Sequence, residues 1–110
     1  MAEIIWTEPA LNDLQALAEY IALDNPGAAS RLVGRIFSRV GQLRAQPELG
    51  PRVPELRPGS RYRQLVESPC RVFYRYHKKA ARIYILGVMR GERLFQARLL
   101  RERERRQDEG

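Results

Sequence analysis

The sequence predicts an α+β domain. An N-terminal strand and an antiparallel helical hairpin pack on a small, mainly antiparallel sheet in the order β-α-α-β-β-β, and a C-terminal helix follows. Three observations carry this. The stretch Arg61–Gly91 divides into three runs rich in β-branched and aromatic residues, Arg61–Val66, Cys70–His77 and Arg82–Met89, separated by polar or proline-bearing junctions. Upstream, two segments carry apolar residues at helical spacing, each preceded by a capping residue and a proline. Between the helices and the strands, Pro47–Ser60 holds four prolines and two glycines, which excludes regular structure.

Each element has its own warrant. Glu3–Trp6 is a short apolar run suited to a further strand of the same sheet. Thr7 supplies an N-cap hydroxyl, with Glu8 and Pro9 in the first turn, where an acid and a missing N–H are both tolerated. Leu11, Leu14, Leu17, Ala18 and Ile21 then form an apolar stripe that ends near Asp24. Asn25-Pro26 starts the second helix, whose stripe of Ala29, Leu32, Val33, Ile36, Phe37, Val40 and Leu43 runs to about Ala45. Gly34 and Gly41 each weaken it by roughly 1 kcal/mol relative to alanine, which close approach to the first helix would justify. The short connection makes a helical hairpin, and its apolar faces need a sheet to cover. The long loop either serves function or returns the chain to the sheet.

In the middle strand Val72, Tyr74 and Tyr76 face one way, and Arg71, Phe73, Arg75 and His77 the other. The last strand is apolar on both faces, with Ile83, Ile85 and Met89 against Tyr84, Leu86 and Val88, as a strand covered on both sides would be. After Gly91, Glu92–Gln107 is expected to be helical, with Leu94, Phe95, Leu99 and Leu100 docking a turn or two before a charged, fraying tail. Residues 1–91 are thus expected to form the domain and 92–110 a helix and tail.

Composition narrows the function classes. The 110 residues suffice for one domain with a core that needs neither disulfide nor metal. One cysteine, Cys70, excludes an internal disulfide, and with a single histidine a Cys/His zinc site cannot be assembled. No metal or cofactor is therefore expected. The N-terminus carries no basic and apolar leader, and no segment approaches a membrane span, so a cytoplasmic protein without membrane association is expected. The net charge of +7 is unevenly placed. Residues 1–30 hold five acids and no Lys or Arg, while residues 31–110 hold all 20 basic residues and the other eight acids, for −5 and +12. Such asymmetry suits an acidic partner, nucleic acid or acidic peptide, over a merely solvated surface.

The residues suited to bind that partner are Arg63, Arg71 and Arg75 on the sheet and Arg90 and Arg93 beyond it, because a guanidinium fork grips phosphate or carboxylate bidentately. The alternative is that these arginines pair with the domain's own acids. A proton-transfer pair is harder to find. Glu67 lies ten residues from His77, on the order of 30 Å along an extended strand. His77 sits at a Lys78-Lys79 turn, where solvation is the ordinary fate, and the four strand tyrosines suit packing.

The order of elements and several motifs resemble the ParE/RelE superfamily of small bacterial toxins, and the ParE branch more closely. Trp6-Thr7 with Ala10 and Asp13-Leu14 carry the resemblance, with Tyr20-Ile21-Ala22 running into Asp24-Asn25-Pro26 and Ala28-Ala29. Pro47 to Gly50, Arg63-Gln64-Leu65 and Arg71-Val72-Phe73-Tyr74-Arg75 complete it. The match spans residues 3 to about 91. It implies a toxin of a type II toxin–antitoxin module, bound as a hetero-oligomer by a cognate antitoxin. ParE-like members act on DNA gyrase without catalysis; RelE-like members cleave mRNA on the ribosome with sheet and C-terminal arginines, here Arg71, Arg90 and Arg93. Phe95 stands near the position where the cleaving branch often has tyrosine, and it has no hydroxyl to exchange a proton. This departure favours gyrase inhibition over mRNA cleavage. Arg63, Arg71, Arg75, Arg90, Arg93 and Phe95 are the candidate contacts to target or antitoxin.

Overall fold

The computed structural model describes residues 1–91 and 97–109. The elements are β1 (Glu3–Trp6), α1 (Glu8–Ala22), α2 (Pro26–Gly41), β2 (Tyr62–Glu67), β3 (Cys70–His77), β4 (Arg82–Arg90) and α3 (Ala97–Glu109), with a 3-10 turn at Gln42–Arg44. The sheet order is β1-β4-β3-β2. β1 runs parallel to β4, and the other pairs are antiparallel. The α+β architecture is as expected. The second helix tightens into its 3-10 turn after Gly41, short of Ala45.

Local signals act where they were expected. Thr7 Oγ1 accepts from Ala10 N at 3.3 Å and donates to Ile85 O at 2.7 Å, so one buried hydroxyl caps α1 and ties it to β4. Asn25 Oδ1 accepts from Ala28 N at 3.0 Å and caps α2. Leu14, Leu17, Leu32, Ile36, Val40 and Leu43 bury against Leu65, Val72, Tyr74, Ile83, Ile85 and Val88. Ala10, rather than the half-exposed Leu11, fills the first turn of this contact. Gly34 and Gly41 do not mediate close approach: a Cβ built on either would meet no atom within 4 Å.

Two strand assignments change in detail. β4 carries one extra residue relative to β3, since Phe73 pairs with Gly87 and Tyr74 with Ile85, leaving Leu86 as a bulge. The bulge flips the alternation beyond it. Val88 therefore joins Ile83 and Ile85 under the helices, while Met89 joins Tyr84 and Leu86 on the other face. In β2, Arg63 pairs with Tyr74 and Tyr62 with Arg75, so Arg63 lies on the hairpin face, opposite Arg71 and Arg75. The three sheet arginines expected to bind a partner therefore do not share a face.

The second face is covered too. Val53 from the long loop, Tyr62, Phe73, Leu86 and Leu100 of α3 form a smaller core there. α3 runs to Glu109 and docks well past its leucines, in place of the expected fraying tail. Leu94 and the start expected at Glu92 lie outside the described residues. The long loop returns the chain to the sheet edge through a bridge from Arg52 to Arg63, with Val53 N donating to Tyr62 O and Gln64 N to Pro51 O. Gly50 is required at that crossing, because a Cβ would stand 2.3 Å from Gln64 O.

Candidate functional site: the sheet face beneath the C-terminal helix

The chemistry-bearing residues gather on the face that α3 covers. Alternation along β3 places Arg71, Phe73, Arg75 and His77 there, and cross-strand pairing adds Tyr62 and Gln64 from β2. α3 delivers Glu104, which is 3% exposed. Its Oε1 accepts from Tyr62 Oη at 2.7 Å, and Arg61 Nη2 stands 3.6 Å away. Its Oε2 accepts from Arg75 Nη1, and His77 Nε2 lies 3.0 Å off. A carboxylate has no proton to offer, so the tautomer that fits carries the proton on Nε2. Tyr84 packs edge-on to the His77 ring, with centroids 4.9 Å apart. Burial, and secondarily the Glu104 charge, push the Tyr62 hydroxyl above its ordinary pKa.

The other sheet arginines are also engaged within the chain. Arg71 Nη1 donates to Glu55 at 2.8 Å and to Gln64 Oε1 at 3.2 Å, and its guanidinium lies 5.0 Å from the Phe73 ring centroid. The hydrogen bond from Arg71 lowers the Glu55 pKa against a smaller opposing effect of burial. Arg63, on the opposite face, donates to Gly50 O at 2.8 Å and reaches Glu48 at 3.5 Å. It thereby holds the loop beside Tyr74, whose hydroxyl accepts from Gly50 N and donates to Pro47 O. Arg90 lies over the Tyr20 ring at 5.1 Å. It borders a groove of about 370 Å³ between α1 and the end of β4, lined also by Asp13, Leu17 and Met89. Arg93 and Phe95 lie outside the described residues.

Of the five arginines among the expected contacts, the four among the described residues, Arg63, Arg71, Arg75 and Arg90, are not brought to one point. The pairing with the domain's own acids is what is found for Arg63, Arg71 and Arg75. His77, expected to be solvated, is instead a partner of Glu104, and Glu67 stands on the other face, where it meets Arg35 at 3.1 Å. Glu104 itself was missed. It sits in a run of charges where no single residue stands out, yet it lies four positions after Leu100, and hence on the same helix face.

A second polar anchor holds α3. β1 ends at Trp6, opposite Ile85. Beyond that point Asp13 Oδ2 accepts from Val88 N at 3.0 Å, and Arg103 Nη1 donates to Leu86 O at 2.9 Å and to Asp13 Oδ2 at 2.6 Å. Side chains thus replace the missing strand at the edge of β4. Gly87 leaves the space, since a Cβ there would stand 2.7 Å from Arg103 Nη1.

A family model described as the ParE toxin of the type II toxin–antitoxin system, parDE, matches residues 4–95. The chain belongs to this toxin family. Toxin RelE2 of Caulobacter vibrioides is 32% identical over 94 residues, covering 86% of this chain and all of that protein. Among solved structures, a chain of the chromosomal ParDE system from P. aeruginosa is 30% identical with a TM-score of 0.66, covering 84% of this chain and 98% of that one. A chain of the RelBE2 toxin–antitoxin complex from Mycobacterium tuberculosis shares the fold, with a TM-score of 0.56 at 21% identity over 81% of this chain and 96% of that one. The family match stops at residue 95, before α3 begins. The element that supplies Glu104 and Arg103 is therefore outside the region the family model describes.

Proposed function

We propose that this chain is the toxin of a two-protein module, that a cognate antitoxin neutralises it as a hetero-oligomer, and that it acts by binding DNA gyrase without catalysis. The observation that carries the non-catalytic part is the state of the sheet face. Arg71 and Arg75 are bonded to Glu55 and Glu104, and α3 lies across the strand face that carries both arginines. Family membership supports the toxin role, and relatives solved within toxin–antitoxin complexes support the antitoxin. The hairpin offers the antitoxin exposed apolar residues, Leu11, Tyr20, Leu23 and Phe37, suited to an amphipathic segment. Purified gyrase should lose supercoiling activity when the protein is added and regain it with antitoxin. Full supercoiling at saturating protein would refute the gyrase reading.

A second reading, ribosome-dependent mRNA cleavage, is favoured by one observation. Tyr62, Arg75, His77 and Glu104 bring three groups able to exchange protons next to a cation suited to phosphate. In that case transcripts on translating ribosomes would be cut, and His77→Ala would stop the cut while leaving the fold intact.

A further inference from the structure

We propose that α3 is a displaceable lid whose Glu104 carboxylate occupies an anion cradle formed by Arg61, Tyr62, Arg75 and His77, and that the uncovered cradle binds a phosphate group. The inference stands apart from the gyrase reading, since it concerns what this face binds and not which enzyme the protein arrests.

Four donors, three on β2 and β3 and Arg61 just before β2, converge on one buried carboxylate. Tyr62 Oη and Arg61 meet one oxygen, Arg75 and His77 Nε2 the other. Nothing else among the described residues neutralises Arg75, so lifting α3 leaves at least two cations facing an open site with no counter-ion. Such an arrangement recruits an anion. The carboxylate is also an incomplete occupant. With both its oxygens in use, Arg75 Nε remains buried without a hydrogen-bond partner among the described residues. A phosphate offers more acceptor oxygens around a tetrahedron, and a guanidinium bonds it through two nitrogens at once.

The surroundings extend the same chemistry. An open cleft of about 460 Å³ borders the cradle at Arg61 and Tyr62, and Arg57 and Glu55 of the long loop line it as well. With α3 lifted, Arg57 stays with the loop as a further cation beside the cradle. The lid is held for release more than for permanence. Among the described side chains its buried apolar contact is Leu100, in a cluster of five buried residues with Leu56, Tyr84 and Met89 packed against it, and its polar hold runs through Glu104 and through Arg103 on Asp13 and Leu86 O. A ligand that satisfies the cradle removes one of those two polar anchors.

The test uses the full chain, Glu104→Ala, and Glu104→Ala combined with Arg75→Gln, each titrated with inorganic phosphate against chloride at matched ionic strength. Calorimetry should show Glu104→Ala binding phosphate at least tenfold more tightly than the unaltered chain, and the added Arg75→Gln should abolish that gain. To keep the test independent of the folding of Glu104→Ala, the unaltered chain is also titrated with phosphate and with a single-stranded ten-nucleotide DNA. Amide exchange over residues 97–109 and the His77 ring resonances are followed. Binding should speed exchange in α3 several-fold and shift His77. A response at tenfold lower phosphorus concentration for the oligonucleotide identifies a nucleic-acid phosphodiester as the natural group; equal responses identify free phosphate. The proposal is overturned by no phosphate response in the unaltered chain or in folded Glu104→Ala, or by a response that survives Arg75→Gln. Release of α3 by a glutamate-rich peptide but not by phosphate would overturn it as well.

Discussion

The two faces of the sheet are sealed by different physics. On the hairpin face, residues from α1, α2 and all four strands form one continuous apolar core, with Ile36, Ile83, Ile85 and Tyr74 fully buried. Its buried polar contacts are neutral, such as the Thr7 and Tyr74 hydroxyls, and its ion pairs, such as Glu67 to Arg35 and Arg39, lie at the exposed rim. On the α3 face the apolar cluster is small, and buried charge does the holding through Glu104 and Arg103. Apolar burial accumulates with area and is indifferent to direction, so it makes a permanent seam. A buried ion cluster contributes little net stability, because desolvation offsets most of its Coulomb energy, yet it is costly to leave half-made. One face is therefore built to stay closed, and the other to close only with the right charge in place.

Substitutions can break this contrast, beginning with the largest effect. Ile36→Ala on the hairpin face should lower unfolding free energy by about 3 kcal/mol in chemical denaturation, with α1, α2 and the strands lost in one transition. Arg103→Gln on the other face should cost roughly 1–3 kcal/mol, because Leu86 O and Asp13 lose their charged donor. That loss should appear as faster amide exchange confined to α3, with the hairpin unchanged. A cooperative loss of both faces in Arg103→Gln would erase the distinction.

Gly34→Ala should stabilise the protein by about 0.5–1 kcal/mol, since the site is exposed, helical and open, and alanine is the better helix former. A loss of stability there would mean that α2 is more crowded than its geometry indicates. The smallest effect concerns two tyrosines. Tyr62 and Tyr74 both have hydroxyl pKa values raised above the ordinary 10, mainly by burial. The folded state therefore disfavours their ionisation. Stability is full below pH 10 and falls as pH rises through that value, where the unfolded chain ionises first. Glu104→Gln should bring the Tyr62 titration, followed by ultraviolet difference absorbance, down toward its ordinary value and leave Tyr74 in place.

How much of this the sequence shows differs between the faces in the same way. Leu14, Leu17, Leu32, Ile36 and Val40 sit at helical spacing, and Thr7 and Asn25 announce their caps, so the hairpin face is legible residue by residue. The fold as a whole followed from that periodicity and the three strand runs. The bulge at Leu86 is invisible, because Leu86, Gly87 and Val88 satisfy either register equally well in a strand apolar on both sides. The side on which Arg63 falls is hidden for a related reason: alternation within β2 gives two faces but not which one meets Arg71. That requires the cross-strand register, which no local pattern encodes. Glu104 is the hardest case. In Arg101–Arg106 every residue is charged, and a charge run is ordinarily a solvated face. The available clue was geometric, with Leu100, Arg103 and Glu104 continuing one helical face at i, i+3 and i+4. Partner identity, as for His77 and Glu104, depends on a contact 27 residues away that no spacing rule reaches.

The central claim is that α3 opens independently of the hairpin face and that Glu104 controls the opening. Native-state amide hydrogen exchange on the unaltered chain and on Glu104→Gln tests it most directly. α3 amides should exchange through a local opening several kcal/mol below the global unfolding seen for α2 and β4. Glu104→Gln should speed α3 by tenfold or more while α2 and β4 barely change. Exchange of α3 only through global unfolding, or equal acceleration of all elements in the variant, would contradict it.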